Sequence, residues 1–312
     1  MNTIGYTFRF TDFGESHGVA VGGVVDGYPA GLHIDNAAIR VDLDRRAGRT
    51  LPVEWQFAVS PRALSEQDEP EFLSGLLDNI TLGTPVAFLI RNTNVRSEDY
   101  ETLKNICRPA HADAVYQNKY GIRDYRGGGR ASARETAARV VAGSMAKQYL
   151  QTRNITIGAY IAQVGDAVTQ EDITSLLKRV KAEGDSVGGI VECVVRGLPV
   201  GVGEPLFDKL PARLAAAVMS INACKGFDYG SGFCGVNQWG SDLNQVSGGA
   251  LGGISDGTDF HFRCVFKPTP SMAKNIPGGR FDVCIALRAP VIVEAMAAMT
   301  IADLVIQSES GI

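Results

Sequence analysis

The feature that most limits how this chain can fold is an internal repeat. The segment Gly14-Glu15-Ser16-His17-Gly18, continuing to Gly27-Tyr28-Pro29-Ala30-Gly31, aligns without gaps on Gly184-Asp185-Ser186-Val187-Gly188, continuing to Gly197-Leu198-Pro199-Val200-Gly201. About half of the positions are identical. Each copy reads as a polar loop, a β-rich strand and a Gly-x-Pro-x-Gly turn, followed by a helical pattern over 36–46 in the first copy and 211–221 in the second. A spacing of about 170 residues is far too long for a solenoid. The expectation is therefore one domain of two homologous halves, about 1–165 and 166–312, packed about a pseudo-twofold axis. The copies differ at one chemically important place: His17 in the first is Val187 in the second.

Helical periodicity over 131–151, 169–183 and 291–306, and strand patterns over 84–91, 155–164, 189–195 and 260–267, complete the outline. Hairpin-rich β segments mixed with long helices predict α+β rather than regular βαβ alternation. The stretch 49–70 has little periodicity and reads as a loop. The apolar run 290–306 is interrupted by Glu294 and Asp303, which marks a buried core helix rather than a membrane span.

Composition enters through glycine and arginine. The chain has 36 glycines, and its 30 basic residues are strongly weighted to Arg over Lys. Arg grips carboxylate and phosphate bidentately, whereas Lys acts as a point charge. The net charge is −4, so the protein is no general binder of nucleic acid and any anion site is local. Residues 1–5 lack the basic region and apolar run of a signal peptide, and a cytoplasmic location is expected. The six cysteines show no CxxC or Cys/His ligand spacing, which predicts buried free thiols and no metal site.

The strongest local signal is Asp124-Tyr125-Arg126-Gly127-Gly128-Gly129-Arg130-Ala131-Ser132-Ala133-Arg134-Glu135. Ser132-x-x-Glu135 reads as a capping box that starts a helix at Ser132 and places the glycines just before its N-terminus. Exposed N–H groups, the helix dipole and Arg126, Arg130 and Arg134 make this an anion site. It is neither a Walker loop nor a dinucleotide fingerprint. Of four histidines, His17 and His111 lie in polar motifs and are candidate proton donors, while His33 and His261 read as structural. Ser16-His17 is no serine hydrolase pair, since adjacent residues cannot supply that geometry.

Taken in order, Gly14-Glu15-Ser16-His17-Gly18, Leu43-Asp44-Arg45-Arg46, Arg108-Pro109-Ala110-His111-Ala112-Asp113, Lys119-Tyr120-Gly121-Ile122-Arg123-Asp124 with the glycine loop, Ser220-Ile221-Asn222-Ala223, Gly252-Gly253-Ile254-Ser255, Lys267-Pro268-Thr269 and Gly279-Arg280-x-Asp282 resemble the chorismate synthase family over nearly the whole chain. The resemblance implies a lyase that eliminates phosphate from 5-enolpyruvylshikimate 3-phosphate, with loss of the C6 hydrogen, to give chorismate. It also implies reduced FMN as cofactor, a small-molecule substrate, no nucleic-acid or membrane partner, a homotetramer, and two antiparallel sheets enclosing a layer of helices. By the same resemblance His17, His111 and Asp282 are the catalytic residues. Arg46, Arg108, Arg134 and Arg280 are the substrate-binding residues. Arg130, Ser132, Asn222, Ala223, Gly252, Lys267, Pro268, Thr269, Pro270, Ser271 and Arg280 are the flavin-binding residues.

The chain departs from the family pattern at Phe281, where the family has His, and in an altered, shortened loop after Arg46. Those departures support an alternative, a divergent non-catalytic flavin- or phosphometabolite-binding paralogue. A flavin oxidoreductase using NADPH is a further alternative, for which the sequence carries no nucleotide fingerprint.

Overall fold

The computed structural model describes residues 1–93, 104–108, 111–241, 248–270, 272, 274 and 281–310. Strands β1 (Thr3–Ile4), β2 (Arg9–Gly14), β3 (Ala20–Asp26) and β4 (Glu71–Phe72), a small hairpin of β5 (Leu76–Leu77) and β6 (Ile80–Thr81), and β7 (Val86–Arg91) make up the β structure of the first half. All but the hairpin form one sheet in the order β1-β2-β3-β7-β4, antiparallel throughout. The rest of the β structure comprises β8 (Thr156–Val164), which precedes the expected boundary at 165 yet joins the second sheet, then β9 (Gly189–Arg196), β10 (Cys224–Tyr229), a short pair β11 (Ala250–Leu251) and β12 (Ile254–Ser255), and β13 (Phe260–Phe266). Its main sheet runs β10-β13-β9-β8, also antiparallel.

Each repeated strand, β3 or β9, sits inside its sheet with a neighbour on both sides. Each ends in a glycine held in the left-handed region, Gly27 at φ 76° and Gly197 at φ 75°. A Cβ on Gly27 would lie 1.8 Å from the Thr7 carbonyl oxygen, so two turns with the same demand follow two equivalent strands. Gly23 shows the other use of glycine. Its missing side chain leaves room for the Phe10 ring, which a Cβ would meet at 2.3 Å.

The helices are α1 (Asn36–Ala47), α2 (Val53–Gln56), α3 (Pro61–Ser65), α4 (Asp113–Tyr120), α5 (Thr136–Gln151), α6 (Gln170–Ala182), α7 (Leu210–Met219) and α8 (Pro290–Ser310). α1, α5, α7 and α8 form a layer between the two main sheets, with β3 against α5 and β8 and β9 against α8. α5 and α8 cross closely at Gly143, where a Cβ would come within 2.2 Å of the Ala295 Cβ. α8 is long and apolar enough to cross a membrane, but 83% of its apolar window is buried within the protein, as expected of a core helix. The segment 49–70 is not a bare loop. It carries α2 and α3, anchored by buried Trp55, whose Nε1 donates to Thr174 Oγ1 at 2.8 Å. Cys193, Cys224, Cys264 and Cys284 are buried thiols, whereas Cys107 and Cys234 are exposed, contrary to expectation.

The polar interruptions of α8 pin the ends of the fold. Asp303, fully buried, accepts the N–H groups of Tyr6, Thr7 and Phe8 and an Arg213 guanidinium at 2.7–3.0 Å. Asp303→Asn removes the charge that these four donors share. The unfolding free energy in urea is expected to fall by about 1.5–3 kcal/mol, the range for hydrogen bonds to a charged group. An unchanged urea midpoint would contradict this role.

Candidate active site

The glycine loop is folded as its sequence requires. Gly127, Gly128 and Gly129 have φ values of 60°, 94° and 53°, conformations that side chains other than glycine adopt at a cost. Two short 3₁₀ turns, Gly129–Ala131 and Ala133–Glu135, lead into α5. Ser132 caps the second turn through Oγ, which accepts from the Arg134 N–H at 3.3 Å. The capping box is only half formed. Glu135 does not return to Ser132 but accepts from Arg139 at 2.8 Å and Asn222 at 3.1 Å, so the α-helix starts at Thr136 rather than Ser132.

The loop brings the two candidate histidines together. A Cβ on Gly127 would lie 2.2 Å from the His17 ring, and one on Gly128 would lie 3.1 Å from the His111 ring. His17 is buried, with Nδ1 3.2 Å from Ser16 Oγ. His111 Nδ1 lies 3.0 Å from Asp113 Oδ1. Nδ1 also lies 3.2 Å from Arg108 Nη2, so it faces both an acceptor and a donor, while the Nε2 side of the ring lies toward Gly128. Burial, and then the neighbouring Arg108 guanidinium, hold the His111 pKa below the ordinary imidazole value, which keeps the ring neutral at neutral pH. Arg108 pairs bidentately with Asp113 at 2.8 and 3.0 Å.

The arginines are less free than their number implies. Arg46 is 1% exposed. It donates to Thr136 Oγ1, Glu66, Asp68 and the Ala133 carbonyl at 2.8–3.2 Å. Arg134 is buried as well and donates to Asp68, Asn92 Oδ1 and the Arg91 carbonyl. Both were expected as ligand clamps. The structure instead commits them to carboxylates that fold back from 66–68, because charge counting in a sequence does not reveal which charges neutralise each other. Burial raises the cost of the Glu66 carboxylate, yet the Arg46, Arg134 and Arg62 guanidiniums outweigh it and hold its pKa below the usual range. Asn92, the partner of Arg134, donates to the Glu15 and Gly18 carbonyls, so this network fixes the loop that carries His17.

Arg62 is the residue that the sequence reading missed. Borne on α3, it lies against the His17 loop, 3.4 Å from the Ser16 carbonyl, and pairs with Glu66 at 3.4 Å. A signal was present: Ser60-Pro61 is a helix start, with Pro at the first helical position, and Ser60 Oγ does cap α3.

A second cluster lies beyond. Asn222 donates to the Ser132 carbonyl at 3.1 Å, and the Lys267 N–H donates to the Ala223 carbonyl at 3.0 Å. Thr269 Oγ1 lies 3.5 Å from the Asp282 carbonyl. Pro268 and Pro270 flank Thr269 on the segment that follows β13. The Asp282 carboxylate accepts from the Ser60 N–H at 2.9 Å and from Arg288. It therefore connects to α3 and the arginine network rather than to either histidine ring. Gly252 is not gathered in. Its neighbour Gly253 accepts from Leu210 N–H at the start of α7, whereas Asn222 follows the end of that helix, about 15 Å away at 1.5 Å per residue. Ser271 and Arg280 lie outside the described residues.

These features make a glycine-lined site with two histidines, one kept neutral, and a shell of guanidiniums. A family model described as chorismate synthase matches residues 8–306. The chain belongs to the chorismate synthase family. Chorismate synthase of Christiangramia forsetii is 43% identical, covering 99% of both chains, and that of Porphyromonas gingivalis is 44% identical, covering 100% of this chain and 97% of its own. The first alignment runs over 358 positions, more than the 312 residues of this chain, so the match is end to end across internal gaps. A solved structure titled "Crystal Structure of Chorismate Synthase" superposes with a TM-score of 0.78 at 27% identity, covering 98% of this chain and 93% of that one. The α+β fold is thus that of a chorismate synthase.

Proposed function

We propose that this chain is a lyase that converts 5-enolpyruvylshikimate 3-phosphate to chorismate by eliminating phosphate together with the C6 hydrogen. The observation that carries the reading is the pair His17 and His111 set against one side-chain-free glycine loop, in a chain of this family. His17 donates a proton to the departing phosphate. Arg62, Arg108 and the glycine-loop N–H groups stabilise the anion as charge develops on it. Arg46 and Arg134 act one step back, by holding Glu66, Asp68 and Asn92 and through them the His17 loop.

Reduced FMN, when bound, would supply electron density to the ring as phosphate leaves and take it back as hydrogen is lost, with no net redox change. The residues present fit such a group. Gly127 and Gly128 let the His17 and His111 rings come up against the loop, and Arg130 and Lys267 supply cations for a phosphate. By the family resemblance Ser132, Asn222, Ala223, Pro268, Thr269 and Pro270 would complete the binding site of the flavin, and His111 would handle proton exchange with it. The rest of the reading rests on family membership. It comprises one duplicated domain, a cytoplasmic location, and a homotetramer that covers exposed Phe207, Phe233 and Trp239.

Purified protein given reduced FMN and the enolpyruvyl substrate without oxygen is expected to release phosphate. Protein that binds both ligands yet stays inert would overturn the reading in favour of the non-catalytic paralogue. Phe281 is the residue that favours that alternative.

A further inference from the structure

Two carboxylates outside the histidine site face the same nitrogen. Arg139 Nε lies 2.8 Å from Glu135 Oε2 and 3.6 Å from Asp12 Oδ2. Glu135 is 2% exposed and Asp12 7%, so two negative charges would stand side by side away from water. Asp12 Oδ1 is used by Arg130 at 3.1 Å, but Oδ2 is buried with no hydrogen-bond partner among the described residues. Arg139 Nε, at 3.6 Å, is too far for a hydrogen bond, and a protonated Glu135 would supply the donor that this oxygen lacks. We propose that Glu135 carries a proton that it donates to Asp12, and that this shared proton fixes Arg130 and Asn222 beside the glycine loop.

The geometry gives the proton this reach. Asp12 orients Arg130, whose Nη1 also donates to the Gly14 carbonyl at 3.0 Å. Glu135 orients Asn222 through Oε1 and Arg139 through Oε2. One proton therefore joins the loop before α5 to the segment after α7, the two segments assigned above to the flavin. That last link rests on the proposed function. The charged groups facing the pair are Arg130, from the turn before α5 and itself influenced by Glu15, and Arg139 from α5; Asn222 and Ser220 face it from the end of α7 and are neutral. Asp12, Arg130, Arg139, Ser220 and Asn222 line a cavity of about 650 Å³, which gives the proton a route to solvent. Burial first, and then the adjacent Asp12, push the Glu135 carboxyl up to about 7.

Glu135→Gln tests this, because its amide donates to Asp12 permanently. The first arm uses the chain alone. A carboxyl whose folded pKa is raised binds more protons in the native than in the unfolded state, so its ionisation costs stability as pH climbs from the ordinary carboxyl range through about 7. Urea midpoints of the wild type should fall across that window relative to E135Q, and the side-chain amide NMR signals of Asn222 should shift with the same midpoint. E135Q should show no such shift.

The second arm titrates FMN by fluorescence quenching. If only the protonated pair is competent, the wild-type apparent Kd should rise about tenfold or more between roughly pH 6.5 and 8.5 relative to E135Q. Riboflavin, which lacks the phosphate, should follow the same curve. Parallel pH profiles for wild type and E135Q in stability and in the Asn222 signals would overturn the proposal, as would an FMN affinity whose pH dependence the substitution leaves untouched. Wild type that binds no flavin at any pH would instead count against the proposed function, and the first arm would then decide the shared proton by itself.

Discussion

His17→Ala is expected to cut anaerobic turnover by at least ~10²-fold, the lower end for a lost general acid, with the loss in kcat rather than in KM. Phosphate is a poor leaving group until it is protonated or its charge is met, and His17 is the imidazole placed against the glycine loop where an anion would sit. Its ring is held between Ser16 at Nδ1 and the backbone of Gly127, and the loop that carries it is fixed through Asn92. His17→Asn keeps a polar group of similar reach and loses the proton, so it should be nearly as slow. Variants that retain turnover within a few-fold of the wild type would remove His17 from the reaction.

The second large effect concerns folding. Asp68→Ala is expected to lower the unfolding free energy by about 3–5 kcal/mol, the cost of stranding a partner in a buried ion pair. Asp68 is 6% exposed and serves both Arg46 and Arg134. Its removal leaves two buried guanidiniums to share Glu66, with mutual repulsion that burial does not screen. Asp68→Asn keeps the side-chain volume and an acceptor for one of the two guanidiniums, and should lose less than the alanine variant. Urea titration of the three proteins checks the order, and a loss below about 1 kcal/mol for the alanine variant would mean that the network is not what holds 66–68 in place.

How far the sequence disclosed this protein depended on the kind of signal. Strand β9, helix α6 and the two glycine turns were legible because each rests on local pattern, alternation or a backbone conformation that only glycine adopts cheaply. The backbone course of the glycine loop was legible for the same reason. Partnership was not. Arg46 and Arg134 looked like free cations because Glu66 and Asp68 stand some twenty and sixty-six residues away, and no pattern links them. Arg62 was hidden because α3 has only five residues, too few for a periodic signature. Glu135 fitted a capping motif that depends on three local residues, while a tertiary contact with Asn222 claimed it instead. Asp12 sits in β2 between Thr11 and Phe13, where nothing in the local sequence pointed to a second carboxylate.

The central claim is that this chain performs a lyase reaction with no net redox change, and one measurement addresses it directly. Phosphate and chorismate are counted per reduced FMN, without oxygen and without any added reductant. Many equivalents of each per flavin, formed in equal amounts and with the flavin still reduced at the end, are the predicted result. Release that stops at one equivalent with the flavin oxidised, or no release from protein that binds both ligands, would contradict it.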